Sequence, residues 1–345
     1  MNYRSSKTYI EDLKNIIYDV DLPGQLLGSK VLITGANGLI ASVLIDALTF
    51  CDGINVYALG RSRERMETRF RNRVKHIIQD VTEPLKTEIV FDYIIHAASN
   101  AHPLAYAQAP VDTMKANITG TANILEYAQT HGVKRMIFVS SSEVYGVNAA
   151  PDTATKNNLQ ECLGYIDLSD FRSAYPESKR AAEVLCTAYT HQYGISTVCA
   201  RPWYIYGATF SEASSKADAQ FLRKALAGEE IVMKSQGTQM RSYCYVSDCV
   251  TAMLKILLYG DNSAYDIAGK DDKTIREFAE TIAETANVSI VYEEPDKTEH
   301  GGYTKILNSV CGKQRAQRTK ELGYIPRYSV KDGIERTLKI LRESM

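Results

Sequence analysis

The sequence predicts an α/β fold: a doubly wound parallel sheet followed by a smaller C-terminal α/β region. Three observations carry this. Short β-branched runs alternate with amphipathic segments from residue 30 to about residue 202, the pattern of strands joined by crossover helices. The runs are almost continuously apolar, as strands covered on both faces must be. The first of them ends in a glycine-rich turn, "TGANGLIAS", that opens a helix.

In order, "KVLITG", "INVYALG", "VKHIIQDV", "FDYIIHAAS", "RMIFVSS" and "ISTVCARP" read as six strands. Residues 1–27 precede them with one amphipathic stretch, "YIEDLKNIIYDV", read as a helical extension. After residue 204 the rhythm loosens. "KADAQFLRKALAGEE" reads as a helix and "EIVMK" as a strand. "SDCVTAMLKILLYG" reads as a helix capped by Ser247 or Asp248, and "KTIREFAETIAETAN" and "SVKDGIERTLKILRES" as two more.

Composition excludes several classes. The 345 residues are 45% hydrophobic and carry a net charge of −1, which leaves no electrostatic footprint for nucleic acid or an anionic membrane. The first residues, "MNYRSSKTYIEDLKN", are charged and contain no apolar h-region, and no run of about 18 apolar residues suggests a membrane span. Seven cysteines, an odd number without a C-x-x-C, read as buried reduced thiols of a cytoplasmic protein. His96, His102, His131, His191 and His300 are scattered, and no spacing resembles a metal site.

In the first turn, Gly35 and Gly38 let the backbone approach a pyrophosphate at a helix N-terminus, and Ala41 holds the third small position. Strand, loop and helix in this order point to a dinucleotide site, lined by Gly35, Asn37, Gly38, Leu39 and Ile40. Such a site ordinarily carries an acid at the tip of the second strand, for the adenosine ribose diol. Here "VYALGRSRER" places Gly60 and then Arg61 there. An arginine suits a 2′-phosphate and favours NADP over NAD; alternatively Arg61, Arg63 and Arg65 begin a solvated helical face.

"SAYPESKRAAEVLCTAY" puts Tyr175 and Lys179 four apart on one helical face, after the fifth strand and before the sixth. A phenol with pKa near 10 is a poor base at neutral pH. A neighbouring ammonium and a nicotinamide cation would lower it, so that Tyr175 accepts a proton while hydride leaves the same carbon. A serine from "VSSSEVYG" could hold the same oxygen.

Six motifs, "TGANGLIAS", "HAAS", "KANITGTANILEYA", "VSSSEVYG", "YPESKRAAE" and "MRSYCYVSD", occur in this order and together resemble the extended short-chain dehydrogenase/reductases that act on nucleotide sugars. The resemblance implies a Rossmann dinucleotide-binding domain over 28–203 and a mainly nucleotide-sugar-binding domain over 204–345, with 243–260 packing back on the sheet. It implies oxidation of a sugar at C4 by NADP or NAD. Carried over by position, Ser141, Tyr175 and Lys179 are catalytic, and Glu143 is a candidate proton shuttle. Asp80 and Val81 fall at the adenine, and Ala97, Ala98, Asn117 and Pro202 also fall to the cofactor. Arg241 grips the substrate phosphates, Tyr204 replaces an asparagine that touches them, and Ser142 faces the substrate or is a loop residue.

A glutamate at Glu143 resembles 4,6-dehydratases and sugar-acid decarboxylases more than epimerases. Decarboxylases carry an arginine upstream of "LGW.P" that "SVCGK" lacks here. The first reading is therefore a 4,6-dehydratase-type lyase, and the alternative is a 4-epimerase or 4-ketoreductase. A decarboxylase and a non-catalytic NADP sensor come after these. The partner is a nucleotide-diphosphate sugar, and "TMKANITGTANILEYAQ" and "KRAAEVLCTAYTHQ" are the helices through which a homodimer is expected.

Overall fold

A computed structural model describes residues 2–146, 163–293 and 316–345. Strands β1 (Lys30–Thr34), β2 (Asn55–Gly60), β3 (Lys75–Ile78), β4 (Tyr93–His96), β5 (Arg135–Val139) and β6 (Thr197–Pro202) stand where the six apolar runs place them. They are followed by β7 (Tyr204–Tyr206), β8 (Ile231–Met233), β9 (Met240–Tyr245), β10 (Ala264–Ile267), β11 (Asp271–Thr274) and β12 (Ile290–Tyr292).

The main sheet has seven parallel strands in the order β10-β6-β5-β4-β1-β2-β3. Its seventh strand, "AYDI", comes from far beyond the sixth, and its single short run did not stand out from the looser rhythm around it. Leu32, Ile33, Ile94, Ile137 and Phe138 are all buried, because helices cover both faces. From β1 the chain winds outward to β3, then returns to β4 and winds the other way. This reversal opens a crevice beyond the carboxyl ends of β1 and β4, where such sheets bind ligands. Two small sheets, β11-β9-β7 and β12-β8, stand beside it.

Helix α1 (Lys7–Val20) starts at Ser6, whose hydroxyl accepts the Tyr9 N–H, and α2 (Leu22–Leu26) follows it. Helix α3 (Leu39–Leu48) buries every residue from Ala41 to Leu48, because it is enclosed by β1, β2, α1 and a helix from the C-terminal half. Next come α4 (Arg63–Phe70), α5 (Pro103–Gln108), α6 (Pro110–His131), α7 (Ala174–Tyr193), α8 (Ala217–Leu226), α9 (Val246–Tyr259), α10 (Ile275–Ala286), α11 (Gln317–Glu321) and α12 (Val330–Glu343). Helix α9 is the one that packs on α3, and it also covers β5 and β6.

The cap of α9 differs from the sequence expectation. The helix begins at Val246, with Tyr245 in the cap position and no side-chain cap. Ser247 and Asp248 lie inside the first turn instead. The Asp248 carboxylate accepts the backbone N–H groups of Arg327 and Tyr328 at 3.1 and 3.0 Å, tying the C-terminal segment to the helix. A distant pair of amides, invisible in the local pattern, took the role assigned to the cap.

Burial raises the Asp248 carboxyl from 3.8 to about 7. Between these values the folded chain binds the proton and the unfolded chain does not, so this contribution to stability is full below 3.8 and is lost as pH rises through about 7. Urea titrations at pH 5 and pH 8 should therefore show the wild type losing stability relative to Asp248→Asn as pH rises. Parallel behaviour of the two would refute this titration.

Candidate active site

The glycine turn sits at the crevice. Gly35 has φ +67°, and a Cβ there would meet the Ala97 carbonyl oxygen at 2.7 Å, so only glycine lets the β1 turn lie against the end of β4. Thr34 joins the same two strands. Its hydroxyl accepts the N–H groups of Ala97 and Ala98, both at 3.1 Å, and therefore donates its proton to His96 Nδ1 at 2.7 Å. His96 Nε2 then carries the hydrogen and meets Thr121 Oγ1 at 3.2 Å. Burial lowers the ring's pKa to about 3, so His96 is neutral and fixed in one tautomer.

A cleft of about 600 Å³ runs from this turn past the tip of β2. Gly35, Asn37, Arg61, Asp80, Val81 and Ala98 are among the residues that line it. Gly38, Leu39 and Ile40 follow at the start of α3, with Gly38 in the cap position, and are not among the residues that line the cleft. Ser99 Oγ, also in the cleft wall, is buried and has no hydrogen-bond partner among the described residues. The glycine cradle, the free helix N-terminus and this orphan hydroxyl fit a dinucleotide. Pro202 ends β6, deeper along the sheet edge. Asn117 is fully buried on α6, and its amide donates to Ser178 Oγ at 2.8 Å, which in turn donates to the Tyr175 carbonyl at 3.0 Å. It therefore braces the start of α7, and it is not among the residues that line the cleft.

The chemistry-bearing groups gather at the end of β5. Ser141 caps a 3₁₀ turn, Ser142–Tyr145, and its Oγ accepts the Glu143 N–H at 3.2 Å. The same hydroxyl bears on the Tyr175 phenol. Ser142 is buried in the turn, whereas Glu143 is half-buried. Tyr175 and Lys179 lie one turn apart on α7, both almost wholly buried. Lys179 Nζ donates to the Val139 carbonyl at 2.7 Å and lies 4.7 Å from the Phe138 ring centre.

Burial dominates this pair. It pulls the Lys179 ammonium down to about 7 and pushes the Tyr175 phenol up, with Glu143 adding to the rise and Ser141 opposing it. The lowered phenol that the sequence reading expected from the lysine is thus not what the two side chains produce alone. The ammonium is drawn to a carbonyl and an aromatic face, 5.8 Å from the Tyr175 ring centre.

Glu143 also has its pKa raised by burial, while Lys216, Arg241 and Arg172 pull against the rise. Charges from three separate parts of the chain thus act on one carboxyl. Tyr106 completes the wall: its ring stacks on Tyr175 at 5.0 Å between centres and 16° between planes. Tyr204 lies in β7 and Arg241 in β9, two strands of the same small sheet. Sequence reasoning missed Tyr106, Arg172 and Lys216. Arg172 stands three residues before Tyr175, which offered a signal; Tyr106, in the short helix α5, and Lys216, just before α8, are far from it in sequence and gave none.

Comparison with known proteins adds the family. The family model of the NAD dependent epimerase/dehydratase family matches residues 31–268. The chain belongs to this family. It is therefore an enzyme of the epimerase/dehydratase family, with a nicotinamide cofactor and nucleotide-sugar chemistry. Among curated relatives, UDP-glucuronic acid decarboxylase 3 of Arabidopsis thaliana is 32% identical over 311 residues, 88% of this chain and 86% of that one. UDP-glucuronic acid decarboxylase 1 of Danio rerio is 33% identical over 258 residues, 73% of this chain and 60% of that one.

Solved structures agree on the family's fold. The UDP-glucose 4-epimerase of Thermotoga maritima, with UDP-glucose, superposes with a TM-score of 0.78 at 24% identity, over 91% of this chain and 98% of that one. The dTDP-glucose 4,6-dehydratase of Streptomyces venezuelae, with NAD bound, gives 0.74 at 22% identity, over 91% and 97%. Among the described residues no helix is long and apolar enough to cross a membrane.

Proposed function

We propose that the chain is a lyase that oxidises a nucleotide-diphosphate sugar at C4 and then breaks a bond at C5, its substrate being a nucleotide-linked hexuronate that loses carbon dioxide. The observation that carries this is the Glu143 carboxyl, placed in the turn after β5 next to Ser141 and subject to the charges of Lys216, Arg241 and Arg172. Lys216 and Arg172 suit a sugar that brings a carboxylate of its own, and Arg241 suits its diphosphate.

A nicotinamide bound along the crevice supplies the hydride acceptor for C4 and a positive charge that lowers the Tyr175 pKa. Tyr175 takes the C4 hydroxyl proton while Ser141 holds the same oxygen. The resulting ketone is β to the carboxylate. Ser141 and the protonated Tyr175 then donate to the C4 oxygen, which receives the electron pair as the C5–carboxylate bond breaks. Glu143, whose protonated form burial favours, returns a proton to C5. Tyr175 then gives its proton back to the C4 oxygen as that carbon recovers the hydride, so carbon dioxide is the net loss and the cofactor ends as it began.

The relatives named UDP-glucuronic acid decarboxylases move this reading ahead of the 4,6-dehydratase that the sequence put first. Dehydration would ask Glu143 to serve at both C5 and C6, because the neighbouring position is Ser142 and not an acid. It remains the second reading, favoured by that same carboxyl. The "SVCGK" segment that weighed against decarboxylation lies outside the described residues.

Mass spectrometry of products from UDP-glucuronate, UDP-glucose and dTDP-glucose tests the proposal. Loss of carbon dioxide from the uronate is expected, and Glu143→Gln should reduce its rate by about 10²-fold or more. Loss of water from a neutral hexose would install the dehydratase. Inversion at unchanged mass would remove both lyase readings.

The cofactor we propose is NADP. Gly60 leaves the tip of β2 without a carboxylate, and Arg61, Ser62 and Arg65 border the cleft there. The acid paired with Arg61, Asp80, is occupied: it accepts Thr82 N and Oγ1, both at 2.9 Å, and lies 3.6 Å from the guanidinium. Fluorescence titration should find NADPH bound about tenfold more tightly than NADH, with the preference lost in Arg61→Ala/Arg65→Ala. Equal or tighter NADH binding would make the arginines a solvated helical face.

A further inference from the structure

We propose that Tyr204 is a positioning residue for phosphate recognition: its ring is the platform on which the Arg241 guanidinium is stacked and held for a nucleoside diphosphate. The proposal rests on the reading above that the substrate carries such a diphosphate.

The small sheet brings the two residues together. Strand β7 pairs with β9 in parallel, with Tyr204 opposite Tyr243. Arg241 is two residues before Tyr243, so alternation puts Arg241, Tyr243 and Tyr204 on one face of the sheet. The Arg241 guanidinium carbon lies 4.3 Å from the Tyr204 ring centre, well within cation–π range. The platform is itself braced. Tyr204 leans on Tyr243 at 6.0 Å between ring centres, and Tyr243 stacks on Phe278 of α10 at 3.9 Å and 13°. Phe278 is wholly buried, so this tier of rings is anchored in the core.

Arg241 Nε is buried and has no hydrogen-bond partner among the described residues. A buried guanidinium N–H without an acceptor is costly in the resting protein and points to an anionic ligand. An arginine otherwise loses considerable rotamer freedom when it grips a ligand. Stacking fixes the plane beforehand, so less ordering is left to binding. An amide at position 204 could donate to a phosphate but could offer no ring. Tyr204 therefore acts through Arg241, and its hydroxyl is dispensable.

The test is calorimetric titration of UDP, dTDP and GDP into the full chain, using whichever binds most tightly. Tyr204→Phe should stay within about twofold of wild type, while Tyr204→Leu and Tyr204→Asn weaken binding by about tenfold. In an Arg241→Gln background, Tyr204→Leu should add almost nothing, because the platform then has nothing to hold. Unchanged NADPH binding and circular dichroism identify the variants that remain folded. If Phe is as damaging as Leu, the hydroxyl contacts the ligand and the platform is overturned. A full Leu effect in the Arg241→Gln background overturns it as well. If the wild-type chain binds none of the three nucleotides, the diphosphate reading itself fails, a result distinct from either.

Discussion

Tyr175→Phe should lower kcat by about 10²–10⁴-fold while leaving the melting curve close to wild type. The change removes one oxygen from a ring that is otherwise held by stacking on Tyr106, so the packing survives and the proton acceptor does not. The paired variant Lys179→Met should be nearly as damaging in rate, because the ammonium is the nearest fixed cation on the same helix face. The pH profile separates these roles. Burial, and then Glu143, raise the Tyr175 pKa, so activity should climb towards alkaline pH as the phenolate forms. Removing the carboxylate charge in Glu143→Gln should move that rising limb to lower pH, whatever it does to the maximum. A Tyr175→Phe enzyme with near-normal turnover would remove the phenol from the chemistry altogether.

Asp46→Ala should cost about 3–5 kcal/mol, a large fraction of the 5–15 kcal/mol typical of a folded domain. Asp46 is completely buried in α3 and collects four donors. Arg69 Nη2 approaches at 2.5 Å, Arg73 Nη1 at 2.7 Å, the Tyr9 hydroxyl at 2.8 Å and Arg4 Nε at 3.2 Å. Burial alone would raise this carboxyl, but Arg69, Arg4 and Arg73 bring it below its ordinary value. Without it, three guanidinium groups face one another with nothing to balance them. The N-terminal turn, α1, α3 and α4 meet at this point, so urea melts should show a lower midpoint together with early exposure of the N-terminal segment to protease. Asp46→Asn keeps the shape and two acceptor sites, and should lose less. A melt indistinguishable from wild type would mean that the cluster contributes nothing net.

The main sheet was legible because its signals are local. Six apolar runs, a glycine turn and a Tyr-x-x-x-Lys on one helix face each lie within a few residues of chain. What escaped depends on the fold bringing distant segments together. Asp46 in "LIASVLIDAL" reads as an odd charge in an apolar helix until Arg4, Arg69 and Arg73 converge on it. Asp248 reads as a cap until Arg327 and Tyr328 arrive with their amides. In the arginine run after β2, Arg63 pairs with Glu67 on an exposed face, while Arg61 and Arg65 border the cleft, a split that the run of like residues does not reveal. The three cations that act on Glu143 come from three separate segments, so no spacing rule connects them.

The seventh strand sets the order in which the protein can be finished as it is synthesised. β10 pairs with β6, yet β7, α8, β8, β9 and α9 are all made between them. While those elements emerge, β6 carries an open row of backbone donors and acceptors, and its covering helix α9 does not yet exist. The nascent chain therefore passes through a stage with a sticky sheet edge, and it ends only when Ala264–Ile267 docks. Ribosomes that stall before Ala264 would leave chains that hold a complete cofactor crevice and a surface ready to pair with the next copy.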